Sequence, residues 1–235
     1  RQLRRRFNID IIRAGNTAIL GEHIKDVVET HRIDLVLDVG ANTGQFGAYL
    51  RELGYTGAIH SFEPVEATFQ ALQRRTSGDA NWSCHRMALG REAGTLTMNL
   101  MGASDLNSAL PPSAFGKNLF AEFQVTGQEQ VPLSTVDRFL AEHVPDRERR
   151  IFLKMDTQGF DLEVFAGAGQ SLGRIRCLLS ELSMTPVYDG MPHYLTSLVA
   201  FEEKGFVMSG LYPVNRNRDL SFIEVDCMLV NRRAA

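Results

Sequence analysis

The sequence predicts a doubly wound α/β fold with a mainly parallel sheet, and three observations predict it. Two strand-like runs, Leu35-Val-Leu and Ile151-Phe-Leu-Lys-Met155, are almost wholly apolar, as strands buried on both faces are. Each ends in an aspartate, Asp38 and Asp156, and turns through glycine into a helical pattern. Strand and helix signals then alternate along most of the chain, the mark of parallel strands joined by covering helices.

Taken in order, Leu20, Ile24 and Val27, with Val28, follow the spacing of one helical face and predict a helix over residues 17–31. The first strand ends at Asp38, and Gln45–Leu53 follows as a helix stopped by Gly54. Ala58–Phe62 is the second strand, closed by Glu63-Pro64, with Pro64 suited to the first turn of the next helix. Val65, Phe69 and Leu72 give that helix its buried stripe. Trp82–Met87 reads as a third strand and Gly90–Met101 as a hairpin edge, from the alternation of Thr95, Thr97 and Asn99 with Leu96, Met98 and Leu100.

Residues 102–119 are crowded with Gly, Ser, Asp, Asn and Pro and read as a long irregular loop, a lid or substrate wall. Gln130–Leu133 is a short strand, after which Ser134 caps a helix with Asp137 as a shortened capping box. Beyond Asp156, Gly159 lets the chain turn into a Leu162–Ala168 helix. Arg176–Ser180 is a strand ending in Glu181, and His193–Lys204 a helix ended by Gly205. Phe206–Tyr212 and Phe222–Val230 close the chain as two strands around the polar Asn215–Asp219 turn. Their helix-free connection requires an antiparallel member. The domain reading is a helical lead-in over 1–34 and one α/β domain over 35–235.

A chain of 235 residues is long enough for such a core. A net charge of −3 does not suggest nucleic acid as the partner. Cys84, Cys177 and Cys227 are far apart and odd in number, so neither a disulfide framework nor a C-x-x-C metal site is read, which suits a reducing cytoplasm. No apolar run of membrane-spanning length and no signal peptide is visible. The chain starts at Arg1 without a Met, and Arg4, Arg5 and Arg6 read as a solvated terminus.

Four acids fall at strand ends: Asp38, Glu63, Asp156 and Glu181. Ligands of open α/β sheets bind outside the carboxyl ends of the strands, so four acids there favour a site over four helix caps. An acid about twenty residues past a glycine turn is where such folds hold ribose hydroxyls, which points to a nucleoside-containing cofactor. Gly40, Gly44 and Gly47 do not match the G-x-G-x-x-G of dinucleotide binders.

Asp-Val-Gly-Ala-Asn-Thr-Gly (38–44) resembles the first motif of S-adenosylmethionine (SAM)-dependent methyltransferases. Together with Phe62-Glu63-Pro64, Ala88-Leu89-Gly90 and Leu153–Glu163, it is similar to the FkbM family of those enzymes. The family pattern K-[IV]-D-x-[EQ]-G-x-[ED]-x-x-[VL] is met by Lys154, Asp156, Gly159, Asp161 and Val164, with Met155 for the usual Ile or Val and Gln158 where Glu is more usual. Asn107-Ser108 and Ser134–Leu140 also sit where that family has similar residues.

The resemblance implies the class I SAM-methyltransferase fold, Rossmann-like, with a seven-stranded sheet. It also implies O-methylation of a hydroxyl on a sugar, glycolipid or secondary metabolite. Carried over by position, Asp38 and Gly44 belong to the cofactor motif, and Gly40, Ala41 and Asn42 line the methionine part of SAM. Glu63 binds the ribose hydroxyls, Met87 and Ala88 face the adenine, and Asp156 lies nearest the transferred methyl.

The sulfonium is already activated, so the protein mainly aligns an acceptor oxygen and helps remove its proton. Asp156, Glu181 and His193 are the candidates for that task. Lys154, in an otherwise apolar strand, is expected to pair with a carboxylate. His60, His85 and His143 read as structural or surface residues. Asp156 and Glu181 offer hard oxygen ligands for a divalent cation such as Mg²⁺, though no close-spaced cluster argues for one. The partner expected is a small-molecule or glycan acceptor, with a homo-oligomer left open. Two other readings stand beside this one, a catalytically silent SAM-fold scaffold and an NAD-type oxidoreductase.

Overall fold

The structure is a computed structural model that describes residues 19–119 and 121–234. Chain order gives α1 (Leu20–Thr30), β1 (Leu35–Val39), α2 (Gln45–Glu52), β2 (Ala58–Phe62), α3 (Glu66–Thr76), β3 (Trp82–His85), β4 (Ala88–Leu89) and β5 (Gly94–Leu100). A 3₁₀ turn (Ser104–Leu106) and α4 (Ala114–Leu119) lead to β6 (Gly127–Ser134), α5 (Val136–His143), β7 (Ile151–Met155) and α6 (Asp161–Ala166). Then come β8 (Ile175–Ser183), α7 (Tyr194–Glu203), β9 (Phe206–Arg216), β10 (Phe222–Asn231) and a last 3₁₀ turn (Arg232–Ala234).

Seven strands form the main sheet in the order β3-β2-β1-β7-β8-β10-β9. β1 pairs in parallel with β2 and β7, as do β2 with β3 and β7 with β8, while β10 runs antiparallel to both β8 and β9. The helix-free return between the last two strands is what forces that reversal.

The alternation of β1 explains its wholly buried reading. Leu35, Leu37 and Val39 face one apolar cluster with Phe139 of α5, Val164 of α6 and Phe201 of α7. Val36 faces the other, with Ile24 of α1, Leu50 of α2 and Leu72 of α3. Three helices therefore cover each face, and removing a large side chain such as Leu37 costs about 2–5 kcal/mol. The stripe expected in the lead-in segment is real over α1, whose Ile24 and Val27 are buried. Residues 17 and 18 of that expected helix, and Arg4–Arg6, lie outside the described residues. No described helix is long and apolar enough to cross a membrane.

Several elements differ from the sequence reading. The alternating 90–101 stretch does not make a hairpin on the main sheet. β5 pairs antiparallel with β6, which pairs in parallel with β4, in a separate three-stranded sheet. Its partner lies beyond the 102–119 segment, and local alternation cannot reveal that. The segment itself is less irregular than expected, because it contains the 3₁₀ turn and α4. Gly116 of α4 packs so closely that a Cβ there would lie 2.3 Å from the Val187 carbonyl oxygen.

Thr135, not Ser134, caps α5, its hydroxyl accepting the Arg138 N–H at 3.0 Å. Asp137 instead accepts the Gln170 N–H at 2.8 Å. Pro64 stands before the helix rather than in its first turn, since Val65 is the cap of α3. The third strand stops at His85, and β9 runs on to Arg216, so the final turn falls at 217–221.

Candidate active site

The register of the sheet places one row of polar side chains at its carboxyl rim, on the face covered by α1 to α3. Asp38 is opposite Lys154, and Lys154 opposite Leu179. Two residues further along these strands stand Asp156 and Glu181, and Glu181 is the cross-strand partner of Asp226 on β10. Glu224 lies opposite Ser183 on the same side of β10.

This row is tied together by hydrogen bonds. The Trp82 indole N–H donates to Ser61 Oγ at 3.0 Å, and Ser61 donates to Asp38 Oδ2 at 2.9 Å. Lys154 Nζ lies 3.1 Å from Asp38 Oδ1 and 3.4 Å from Asp156 Oδ2, and donates to the Gly40 carbonyl at 3.1 Å. Burial pulls the Lys154 pKa down, but the Asp38 and Asp156 charges outweigh it and hold the ammonium above its ordinary value. The expected carboxylate partner of Lys154 is thus present twice.

Gln158 joins the next two acids. Its amide N–H₂ donates to Asp156 Oδ1 at 3.0 Å and to Glu181 Oε2 at 3.2 Å, and its carbonyl receives the Tyr188 hydroxyl at 3.0 Å. Gln158 has a positive φ of 53° beside Gly159 at 95°, so the turn after β7 is held in a left-handed conformation. Buried Asp161 fixes that turn by accepting from Thr157 N–H at 2.9 Å and Ser180 Oγ at 2.6 Å. Ser108 Oγ donates to the Gln158 carbonyl at 2.7 Å, and Asn107 Oδ1 accepts the Met101 N–H at 2.8 Å. The Asn107-Ser108 pair therefore anchors the 102–119 wall to the site.

Burial raises the Glu181 pKa well above the carboxylate range, with Asp156, Glu224 and Asp226 adding like charge. Asp226 is pushed up to about 6 by burial and by Asp156. Burial raises Glu224 as well, against the amide of Asn215.

At the other end of the rim, the glycine turn meets Glu63. The Gly40 and Ala41 N–H groups donate to the Phe62 carbonyl at 3.1 and 2.9 Å, and the Gly44 N–H to Ala41 at 2.8 Å. Asn42 N–H donates to Glu63 Oε2 and Val65 N–H to Glu63 Oε1, both at 3.0 Å. Four N–H groups of the turn are thus spent inside the protein, which leaves a poor nest for a pyrophosphate and weighs against an NAD-type site.

The glycines also have a packing role. A Cβ on Gly40, whose φ is 75°, would lie 1.9 Å from the Asp156 carbonyl oxygen. One on Gly44 would meet Leu72 at 2.9 Å. Strand and helix contacts, rather than close approach of a ligand, fill these spaces.

A cleft of about 650 Å³ opens along the rim, within the range of about 300–1,000 Å³ usual for small-molecule sites. Of the residues read from sequence, Gly40, Ala41, Asn42, Glu63, Met87, Ala88, Asp156 and Glu181 line it. Asp38 and Gly44 do not; Asp38 is fully buried behind Lys154. His193 is exposed at the start of α7, its ring 4.5 Å from that of Tyr194, and is not part of the lining.

Sequence reading missed Gln158 as a bridge, Tyr188, Glu224 and Asp226. The last two had a signal: acids at alternate positions in the otherwise apolar Phe222–Val230 run. Among the described residues, no group of three or more His, Cys, Asp or Glu side chains is arranged to hold a metal ion.

The residues fit SAM. Glu63 is 7 % exposed and presents a carboxylate to the cleft for hydroxyl donors. Phe62, Met87, Ala88 and Leu89 supply an apolar wall for a purine, and Asp156 and Glu181 supply negative charge suited to a sulfonium.

Sheet order, reversed β10 and a rim cleft of this make-up define a class I SAM-dependent methyltransferase. The chain belongs to the FkbM methyltransferase family, since the model of the methyltransferase FkbM domain matches residues 38–208. It is similar to Methyltransferase 1 of Beauveria bassiana, 25% identical over 185 residues that cover 74% of this chain and 72% of that protein. Methyltransferase sdnD of Sordaria araneosa is 27% identical over 176 residues, 65% of this chain and 67% of that one. Among solved structures, an rRNA methylase from Streptococcus thermophilus aligns with a TM-score of 0.47 at 14% identity, covering 91% of this chain and 99% of that one.

Proposed function

We propose that this methyltransferase moves the SAM methyl group to a hydroxyl oxygen of a sugar, glycolipid or secondary metabolite. The observation that carries the reading is the Gln158 bridge, which holds two carboxyls of different character at one point of the cleft. Asp156 is ion-paired with Lys154 and half-exposed, a charge that orients a hydroxyl. Glu181 has its pKa raised by burial and like charge, which suits a base for a weakly acidic alcohol. Glu63 takes the ribose hydroxyls, and Met87 and Ala88 take the adenine.

SAM, when bound, supplies an activated methyl on a sulfonium. The acceptor oxygen is held in line with the methyl–sulfur bond. In its ionised form Glu181 would accept the hydroxyl proton as the acceptor oxygen takes the methyl group, which would leave S-adenosylhomocysteine. His193, outside the cleft lining, takes no part in this reading.

The test is transfer of labelled methyl from SAM to a panel of sugars, glycolipids and polyol metabolites. The expected product is an alkali-stable methyl ether, identified by its O–CH₃ carbon signal. Asp156→Asn keeps shape and hydrogen-bonding capacity but removes charge, so turnover should fall roughly 10²-fold while the melting temperature changes little. Alkali-labile label would mean a methyl ester, and near-normal turnover of the Asn variant would remove Asp156 from the chemistry.

A further inference from the structure

The charge of the cleft is lopsided. Its lining carries seven carboxyls and, among the described residues, one cationic side chain, Lys154. That ammonium is already committed to Asp38 and Asp156. SAM brings one net positive charge, which the Asp156 end of the row can meet. Neither acid of β10 has an ion-pair partner among the described residues, and Lys154 acts on Asp226 only at longer range.

Glu224 carries a second, independent sign. It is 4 % exposed and lines the cleft; Oε2 accepts the Asn215 amide at 2.9 Å, but Oε1 has no hydrogen-bond partner. An unsatisfied buried carboxylate oxygen costs stability unless a ligand donor fills the gap. Beside it, Asp226 is the cross-strand partner of Glu181, so the two stand about 5 Å apart at their Cα atoms.

We propose that Glu224 and Asp226 form a subsite for a protonated amine on the acceptor, so that the substrate class is an amino alcohol or amino sugar. The amine sits on β10 and the hydroxyl to be methylated faces Glu181 on β8, a separation of a few bonds. A neutral polyol would leave the β10 acids uncompensated, and an anionic acceptor would be repelled by the whole row. The inference rests on the methyltransferase reading and adds the charge of its acceptor.

Matched pairs of small molecules separate the two. With S-adenosylhomocysteine present and at fixed ionic strength, thermal stabilisation is compared for ethanolamine against ethylene glycol, putrescine against 1,4-butanediol and glucosamine against glucose. At least one amine should stabilise the protein clearly more than its hydroxyl counterpart. The Glu224→Gln and Asp226→Asn variants should lose that difference while keeping the stabilisation given by S-adenosylhomocysteine alone. Amines no better than their counterparts, or an amine effect that survives in both variants, would overturn the subsite. Loss of the S-adenosylhomocysteine effect in the wild type would instead strike the methyltransferase reading.

Discussion

Two clusters of titratable groups, buried in part, flank the centre of the sheet, and they handle charge in opposite ways. On one face, Asp38, Lys154, Asp156 and Glu181 keep charge inside the protein by pairing it and bridging it. On the other, His60, His85 and His143 gather around Phe139, with His60 Nδ1 3.0 Å from His85 Nε2 and the Phe139 and His143 rings stacked at 4.6 Å. Burial lowers both His60 and His85 to about 4, aided by the neighbouring imidazoles and, for His60, by Arg149. His60 and His85 thus avoid charge. Both regions shift their pKa values strongly, but only the first opens on a cleft. Perturbed titration marks a site when it coincides with a cavity and with unequal roles among the groups, and otherwise reports burial.

The sharpest way to break this contrast is to unpair the first cluster. Lys154→Met leaves Asp38 fully buried with no cation, and the loss should be about 3–5 kcal/mol. Denaturant unfolding measures it, and the Asp38→Asn/Lys154→Met double variant should recover much of the loss because no charge is then stranded. A cost under about 1 kcal/mol for the single variant would mean that the pair is solvated rather than buried.

The histidine cluster gives a smaller effect with a defined sign. The folded pKa values lie below the unfolded one, so the unfolded chain binds more protons between pH 6.5 and about 4. The stabilisation is complete above pH 6.5 and is lost as pH falls toward 4. The raised carboxyls of the cleft act the other way, since their protonated forms suit the folded state. His85→Phe should therefore flatten the fall of melting temperature between pH 6.5 and 4 while leaving binding of S-adenosylhomocysteine unchanged. An identical pH slope in the variant would assign the acid lability to other groups.

Much of this arrangement is legible in the sequence. Two apolar strands ending in Asp38 and Asp156, the acid at Glu63 and the family motif around Lys154 are local patterns, and they point to the family and to a site at this rim. A lone lysine in a buried strand can be read as paired because the unpaired alternative is so costly. Two kinds of feature are not local. The partner of β5 lies across a 26-residue interval, from Leu100 to Gly127, and no periodicity records it. The β8–β10 register that brings Glu181 beside Asp226 depends on where a long antiparallel strand stops, so the β10 acids stay invisible until the sheet is assembled. Asp38 shows the converse: its position in the motif suggests contact with the cofactor, and its place in the sheet points its side chain at Lys154.

The account rests on Glu63 as the seat of the SAM ribose, beside the apolar wall of Met87 and Ala88, so calorimetry on that seat tests it most directly. S-adenosylhomocysteine should bind the wild type saturably and NAD should not. Glu63→Ala should weaken the binding about tenfold or more through loss of its charge-assisted hydrogen bonds. Because burial holds Glu63 at about 7, wild-type affinity should also fall as pH drops below that value and the carboxylate takes up a proton. Equal binding by the wild type and Glu63→Ala, or tighter binding of NAD than of S-adenosylhomocysteine, would contradict the account.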